Sequence, residues 1–229
     1  MLGFYNYTVI LTYLSLAFAG TGIAFSFIPG GHPFIGVVCL LLCALCDGFD
    51  GKVARTKKDR TPQECKFGIQ IDSLSDVIAF GVLPACIGMS ILFHSEYVYV
   101  KNGAWWQMLC TVLVVLVCIM FMLAALIRLA YFNVTEDERQ EEEEGVRKIY
   151  LGLPVTIGAI MLPIPYAIQM IIGKLTEFDC SFIYFIALFF VAIAFVSKFK
   201  LAKPGAKKMT FMITMGVIEV ASLIVAAII

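Results

Sequence analysis

The stretch PFIGVVCLLLCALCDGFDGKVAR, from Pro33 to Arg55, carries no charge up to Cys46 and then turns abruptly to Asp47, Asp50, Lys52 and Arg55. A helix crosses the roughly 30 Å hydrocarbon core of a bilayer with about 20 mainly apolar residues, because lipid offers the backbone no hydrogen-bonding partner. The uncharged part alone is short for that. A helix that continues to Arg55 would span and carry its polar end out of the lipid. The whole chain supports a hydrocarbon solvent: of 229 residues 61% are hydrophobic and 15% charged, with a mean hydropathy of +0.92. Soluble chains average about 45–50% apolar and about 25% charged, so a water-soluble globule is excluded.

Working outward, similar apolar runs lie at Tyr7 to Ile28, Ile69 to Phe93, Trp105 to Phe132, Tyr150 to Gly173, Ser181 to Val196 and Met209 to Ile229. With Pro33 to Cys46 they predict an all-α polytopic membrane protein of about seven transmembrane helices. No Lys or Arg precedes Lys52 and the first run is long, so it reads as a permanent span rather than a cleaved signal. The remaining cations set an orientation. Six lie in the loop after the second run (Lys52, Arg55, Lys57, Lys58, Arg60, Lys66), four in the next loop on that side (Arg128, Arg139, Arg147, Lys148) and five after the sixth run (Lys198, Lys200, Lys203, Lys207, Lys208). Only Lys101 and Lys174 fall opposite. Fifteen against two predicts that the N-terminus and these three loops are cytoplasmic. The formal net charge is zero, which gives nucleic acid no basic field to follow. No repeat or linker divides the chain, so residues 1–229 read as one domain. Most of the eight cysteines fall inside predicted spans; Cys39, Cys43 and Cys46 share a helical face, where packing is the favoured reading over a metal pocket.

Chemistry concentrates between Asp47 and Asp76. Asp47, Asp50 and Gly51 share one face of a helix at i, i+3 and i+4, and after Arg55 and twelve further residues Gly68, Asp72 and Asp76 stack at i, i+4 and i+8. Two antiparallel helices would then present two pairs of carboxylates to one cleft. An ionised carboxylate costs about 2.5–3.5 kcal/mol at the centre of a membrane helix, so acids beginning an apolar span should be paired or cation-bound. Hard oxygen ligands without His or Cys point to Mg²⁺ or Mn²⁺, with Ca²⁺ as a competitor. Two such ions about 3.5–4 Å apart can hold a pyrophosphate. Gly51 and Gly68 permit close approach, Ala54 lies one turn from Asp50, and Arg55 offers a planar fork of donors to phosphate.

These residues resemble the CDP-alcohol phosphotransferase signature D-x2-D-G-x2-A-R, a spacer, then G-x3-D-x3-D, with every fixed position present and a spacer longer than is usual. Phe80-Gly81 with Pro84-Ala85, Arg128-Leu-Ala-Tyr-Phe-Asn133-Val and Gly152-Leu-Pro154 resemble elements of the serine-using subgroup. The resemblance extends to about Lys200, leaving the last span, about 209–229, peripheral to the signature at 47–76. It implies a bundle with a cytoplasm-facing cleft, and transfer of a phosphatidyl group from CDP-diacylglycerol to L-serine with release of CMP. It implies further that Asp47, Asp50, Asp72 and Asp76 bind two divalent ions, that Asp76 is the general base, and that Gly51, Ala54, Arg55 and Gly68 line the CDP-lipid. Arg128 and Asn133 become contacts for phosphate or serine, and a homodimer is expected. The same chemistry with inositol, glycerol 3-phosphate or an ether-lipid donor is the alternative, and divalent-cation transport a more distant one.

Three features stay outside that scheme. Seven of the nine residues 136–144 are acidic, which reads as a solvated, mobile loop. Glu219 lies within the last apolar run with no evident partner. His32 and His94 fall in loops on the far side and are assigned no role.

Overall fold

A computed structural model describes residues 3–95, 105–142, 149–176 and 178–202, together with 214, 216–217 and 219–225; for 136–142, 149–151 and 200–202 the description is of backbone alone. A 3₁₀ turn, Tyr7–Val9, leads into α1 (Ile10–Phe27), and α2 (Pro33–Ala54), α3 (Pro62–Asp76), α4 (Leu83–His94) and α5 (Trp105–Glu142) follow. Then come a short strand β1 (Ile149–Leu151), α6 (Val155–Met161), α7 (Pro163–Thr176), α8 (Phe182–Val196) and β2 (Lys200–Ala202). The two strands pair antiparallel, Ile149 opposite Ala202 and Leu151 opposite Lys200.

Five helical segments are long and apolar enough to cross a membrane: Tyr7–Phe27, Pro33–Ala54, Pro62–His94, Trp105–Thr135 and Val155–Thr176. Phe182–Val196 is a shorter apolar helix. The chain is therefore an all-α polytopic membrane protein apart from the small β-ribbon. Its surface has the polarity that lipid demands, with Leu116, Leu123 and Ile127 of α5 and Phe190 of α8 all about half exposed or more. Between the helices lies a close-packed core that includes Leu40, Phe80, Leu83, Phe121, Tyr184, Leu188 and Phe195.

Local sequence explains most boundaries. Pro33 opens α2, where a missing N–H matters least. The helix runs through Asp47 and Asp50 to Ala54, as expected for a span whose polar end leaves the lipid. α3 begins with a capping box: the Thr61 hydroxyl accepts from the Glu64 amide, the Glu64 carboxylate accepts from the Thr61 amide, and Pro62 sits at the first position. Between α3 and α4 the helix widens into a π turn over Val77–Val82. Pro84 accounts for it, since its ring crowds the carbonyl four residues earlier and it has no N–H to return. The Pro84 carbonyl accepts from the Tyr184 hydroxyl at 3.1 Å, tying α4 to α8.

Several expectations need correction. The run Tyr150 to Gly173 is not helical from its start: residues 149–151 form β1, Gly152 turns with φ +76°, and α6 begins only after Pro154. A break at Leu162, before Pro163, separates α6 from α7. The spacer after Arg55 is not all loop, because its second half is the first turn of α3. The acidic stretch is helical as far as Glu142, continuing α5 through residues of good helix propensity; 143–144 lie outside the described residues. The packing reading of Cys39, Cys43 and Cys46 needs no such change: all three are buried, with the Cys43 thiol donating to the Ser15 carbonyl of α1 at 3.2 Å. Of the orienting cations, Lys101, Arg147, Lys148, Lys203, Lys207 and Lys208 lie outside the described residues, as does most of Met209 to Ile229; within it, 219–225 is helical.

Candidate active site

The four aspartates come together. α2 contributes Asp47 and Asp50 and α3 contributes Asp72 and Asp76, all half-buried. The Asp50 and Asp72 carboxyls are near neighbours, and Asp50 also lies against the Gly51 amide. Asp76 is close enough to feel the charge of Asp47, Asp72 and Asp50. Among the described residues none of the four forms an ion pair with Lys or Arg. Crowded like charges without a paired cation form a site that favours cations strongly. Oxygen donors alone, from two rigid helices, suit Mg²⁺, Mn²⁺ or Ca²⁺ and not a soft metal. No three of these carboxylates converge on one point as a finished metal site among the described residues. The donor set therefore fits a divalent cation by its chemistry and proximity.

At the loop end of the cleft each helix carries a glycine covered by an arginine. A β-carbon on Gly51 would meet Arg55 Nη1 at 3.6 Å, and one on Gly68 would meet Arg60 Nη2 at 2.6 Å. A side chain at 68 would displace the Arg60 guanidinium, the far end of a flexible side chain that the signature does not include. Ala54, at the end of α2, is half-buried beside Arg55, which is exposed. The loop is fastened from the N-terminal side. Glu64 Oε1 accepts from Asn6 Nδ2 at 3.1 Å and from Lys57 Nζ at 2.9 Å, and Thr56 Oγ1 donates to the Tyr7 hydroxyl at 3.1 Å. The bond to Glu64 holds the Lys57 ammonium above the ordinary lysine range. The motif T-P-Q-E at 61–64 could have revealed this cap from sequence; Asn6 carried no such signal.

Asn133 reaches the same region. Its Nδ2 donates to Ser73 Oγ at 2.8 Å, joining the C-terminal half of α5 to the residue after Asp72. Arg128 sits one to two turns earlier, buried, with Nε donating to the Leu153 carbonyl at 2.9 Å and Nη2 to the Gly152 carbonyl at 3.4 Å. The two distant sequence elements at Arg128 and at Gly152-Leu-Pro154 are therefore one structural unit, with the guanidinium bracing the turn into α6. His94 lies at the other end of the bundle, its ring nitrogens facing the Ser90 carbonyl at 2.7 Å and the Gly30 carbonyl at 2.5 Å, and the His32 ring lies tilted, 6.4 Å from the Phe25 ring.

Two membrane helices thus pool four carboxylates beside two arginines, and this site lies within a stretch that matches one family of membrane proteins. The chain belongs to the CDP-alcohol phosphatidyltransferase family, whose model matches residues 5–216. It is 31% identical over 137 residues to the CDP-diacylglycerol–serine O-phosphatidyltransferase of Helicobacter pylori, covering 59% of this chain and 48% of that protein. The enzyme of the same name from Saccharomyces cerevisiae is 31% identical over 132 residues, 56% of this chain and 41% of that one. The archaetidylserine synthase of Methanothermobacter thermautotrophicus is 31% identical over 146 residues, 64% of this chain and 50% of that one. The aligned region thus spans about half the length of these relatives.

Proposed function

We propose that this single-domain protein transfers the phosphatidyl group of CDP-diacylglycerol to L-serine, forming phosphatidylserine and CMP. The observation that carries the reading is the pooling of Asp47, Asp50, Asp72 and Asp76 at one helix pair within a chain of this family. Names of the relatives support serine as the acceptor. One relative named for an archaetidyl product keeps an ether-lipid donor in view.

In this reading the serine hydroxyl oxygen attacks the phosphorus bearing diacylglycerol, and the bond from that phosphorus to the CMP oxygen breaks. Asp76, the last residue of α3, takes the hydroxyl proton. Asp47, Asp50 and Asp72, with Asp76, would hold two divalent ions, Mg²⁺ or Mn²⁺, which when bound neutralise charge gathering on the leaving phosphate. Gly51, Ala54, Arg55 and Gly68 line the nucleotide, with the Arg55 fork toward its phosphates. Asn133 positions Ser73 and hence the Asp72 turn. Arg128 shapes the mouth formed by the turn into α6. The cleft and the N-terminus face the cytoplasm in this reading, and two copies associate in the membrane.

The test is CMP release by purified protein from CDP-diacylglycerol with Mn²⁺ or Mg²⁺, comparing L-serine, inositol, glycerol 3-phosphate and no acceptor, with lipid products weighed by mass spectrometry. Serine-dependent release with phosphatidylserine formed is the expected result. Release with another acceptor would overturn the headgroup and keep the chemistry.

A further inference from the structure

Arg60 is left unexplained by the signature, since it lies in the enlarged spacer. Its guanidinium nonetheless occupies the surface of α3 directly over Gly68, with Nη2 at the place a β-carbon would need. Gly68 and Asp72 are successive positions of one helical face, about 5–6 Å apart, so this cation stands one turn from the carboxylate cleft. Yet it pairs with none of the four aspartates. Its Nη2 donates only weakly, to the Glu64 carbonyl at 3.3 Å, and its Nε is buried without a hydrogen-bond partner among the described residues. A buried guanidinium N–H with no acceptor is costly unless a ligand completes it. The neighbouring Glu64 carboxylate, the obvious internal partner, is already taken by Lys57, Asn6 and the Thr61 amide. Across the cleft Arg55 lies over Gly51 more loosely, with Nη1 3.6 Å from where a β-carbon would stand. Two guanidiniums, each backed by a glycine, thus bracket the loop end of the cleft.

We propose that Arg60 is a further substrate-positioning residue, clamping the diphosphate of the CDP-lipid from the α3 side while Arg55 holds it from the α2 side. The proposal rests on the CDP-lipid reading above. Spacer length is what supplies it: the residues between Arg55 and Thr61 let the chain double back so that Arg60 reaches Gly68 while Thr61 caps α3.

The experiment compares wild type, Arg60→Gln and Arg60→Lys in steady-state CMP release and in thermal protection by CDP with Mn²⁺, after confirming that the three melt alike without ligand. Arg60→Gln should raise KM for CDP-diacylglycerol about tenfold, the effect of one charged hydrogen bond, with kcat within about twofold and KM for serine unchanged. Arg60→Lys should recover part of the loss, because it keeps the charge and not the fork. An unchanged KM for the CDP-lipid overturns the clamp; a lowered one would make Arg60 an occupant that substrate displaces. If wild type releases no CMP with any acceptor, the enzymatic reading fails by itself. Weaker CDP protection in Arg60→Gln would then still uphold a diphosphate contact, and equal or absent protection would remove it.

Discussion

Carboxylates sit at both ends of the bundle in opposite circumstances. At the end with His94, Asp179 is fully engaged: Oδ2 accepts from Ser95 Oγ at 2.5 Å and Oδ1 from the Ser181 amide at 2.9 Å, and the Ser181 hydroxyl adds to it. At the other end Asp50 and Asp72 face each other, and Asp47 and Asp76 add charge to the same space. Asp179 closes the turn between α7 and α8 and needs nothing further. The four aspartates are held together by the fold against their own repulsion, which is how a site kept for a ligand differs from one kept for stability.

The largest expected effect separates the base from its neighbours. Asp76→Asn should cut transfer by about 10³-fold, the usual contribution of a positioned general base, while nucleotide protection survives because the side-chain shape is kept. CMP release and CDP-dependent melting on one preparation check it; substantial activity in that variant removes Asp76 from the base role.

Stability gives the next contrast, with opposite signs at the two ends. Asp72→Asn places an amide donor opposite Asp50 where a second carboxylate stood, so in chelator the protein should gain about 1 kcal/mol while its activity collapses. Asp179→Ala should lose about 1–3 kcal/mol because Ser95 and Ser181 are left without their acceptor. Denaturation midpoints in the same detergent measure both. Equal losses at the two ends would mean that the aspartate cluster is a structural network like the one around Asp179.

Much of this was legible beforehand for physical reasons. Apolar runs report the solvent directly, and the i, i+3, i+4 spacing of Asp47, Asp50 and Gly51 reports a shared helical face without knowledge of the partner helix. Hydrogen bonds between segments far apart in sequence were not legible. Nothing near Arg128 says that its guanidinium will brace the carbonyls of Gly152 and Leu153, and nothing near Asn133 points to Ser73. The break before Val155 was hidden by uniform hydrophobicity, which masks a Gly-Leu-Pro turn unless Gly152 and Pro154 are weighed individually. Arg60 was counted only as an orienting charge, because its place over Gly68 depends on where α3 begins.

That beginning supplies the smallest effect. Thr61 sits beside the cleft's loop and could be taken for a phosphate contact, but its hydroxyl is engaged in the capping box with the Glu64 amide at 3.2 Å. Thr61→Ala removes one side of the box and leaves the Glu64 carboxylate on the Thr61 amide, so the loss should be about 1 kcal/mol of stability. Thr61→Ser should restore it, since the hydroxyl alone makes the bond. Transfer activity should stay within about twofold in both, because no aspartate is carried by the cap hydroxyl. A large fall in activity for Thr61→Ala with an unshifted melting midpoint would move Thr61 from the frame of the site into its substrate contacts, and the division between held and waiting groups would then run through the spacer itself.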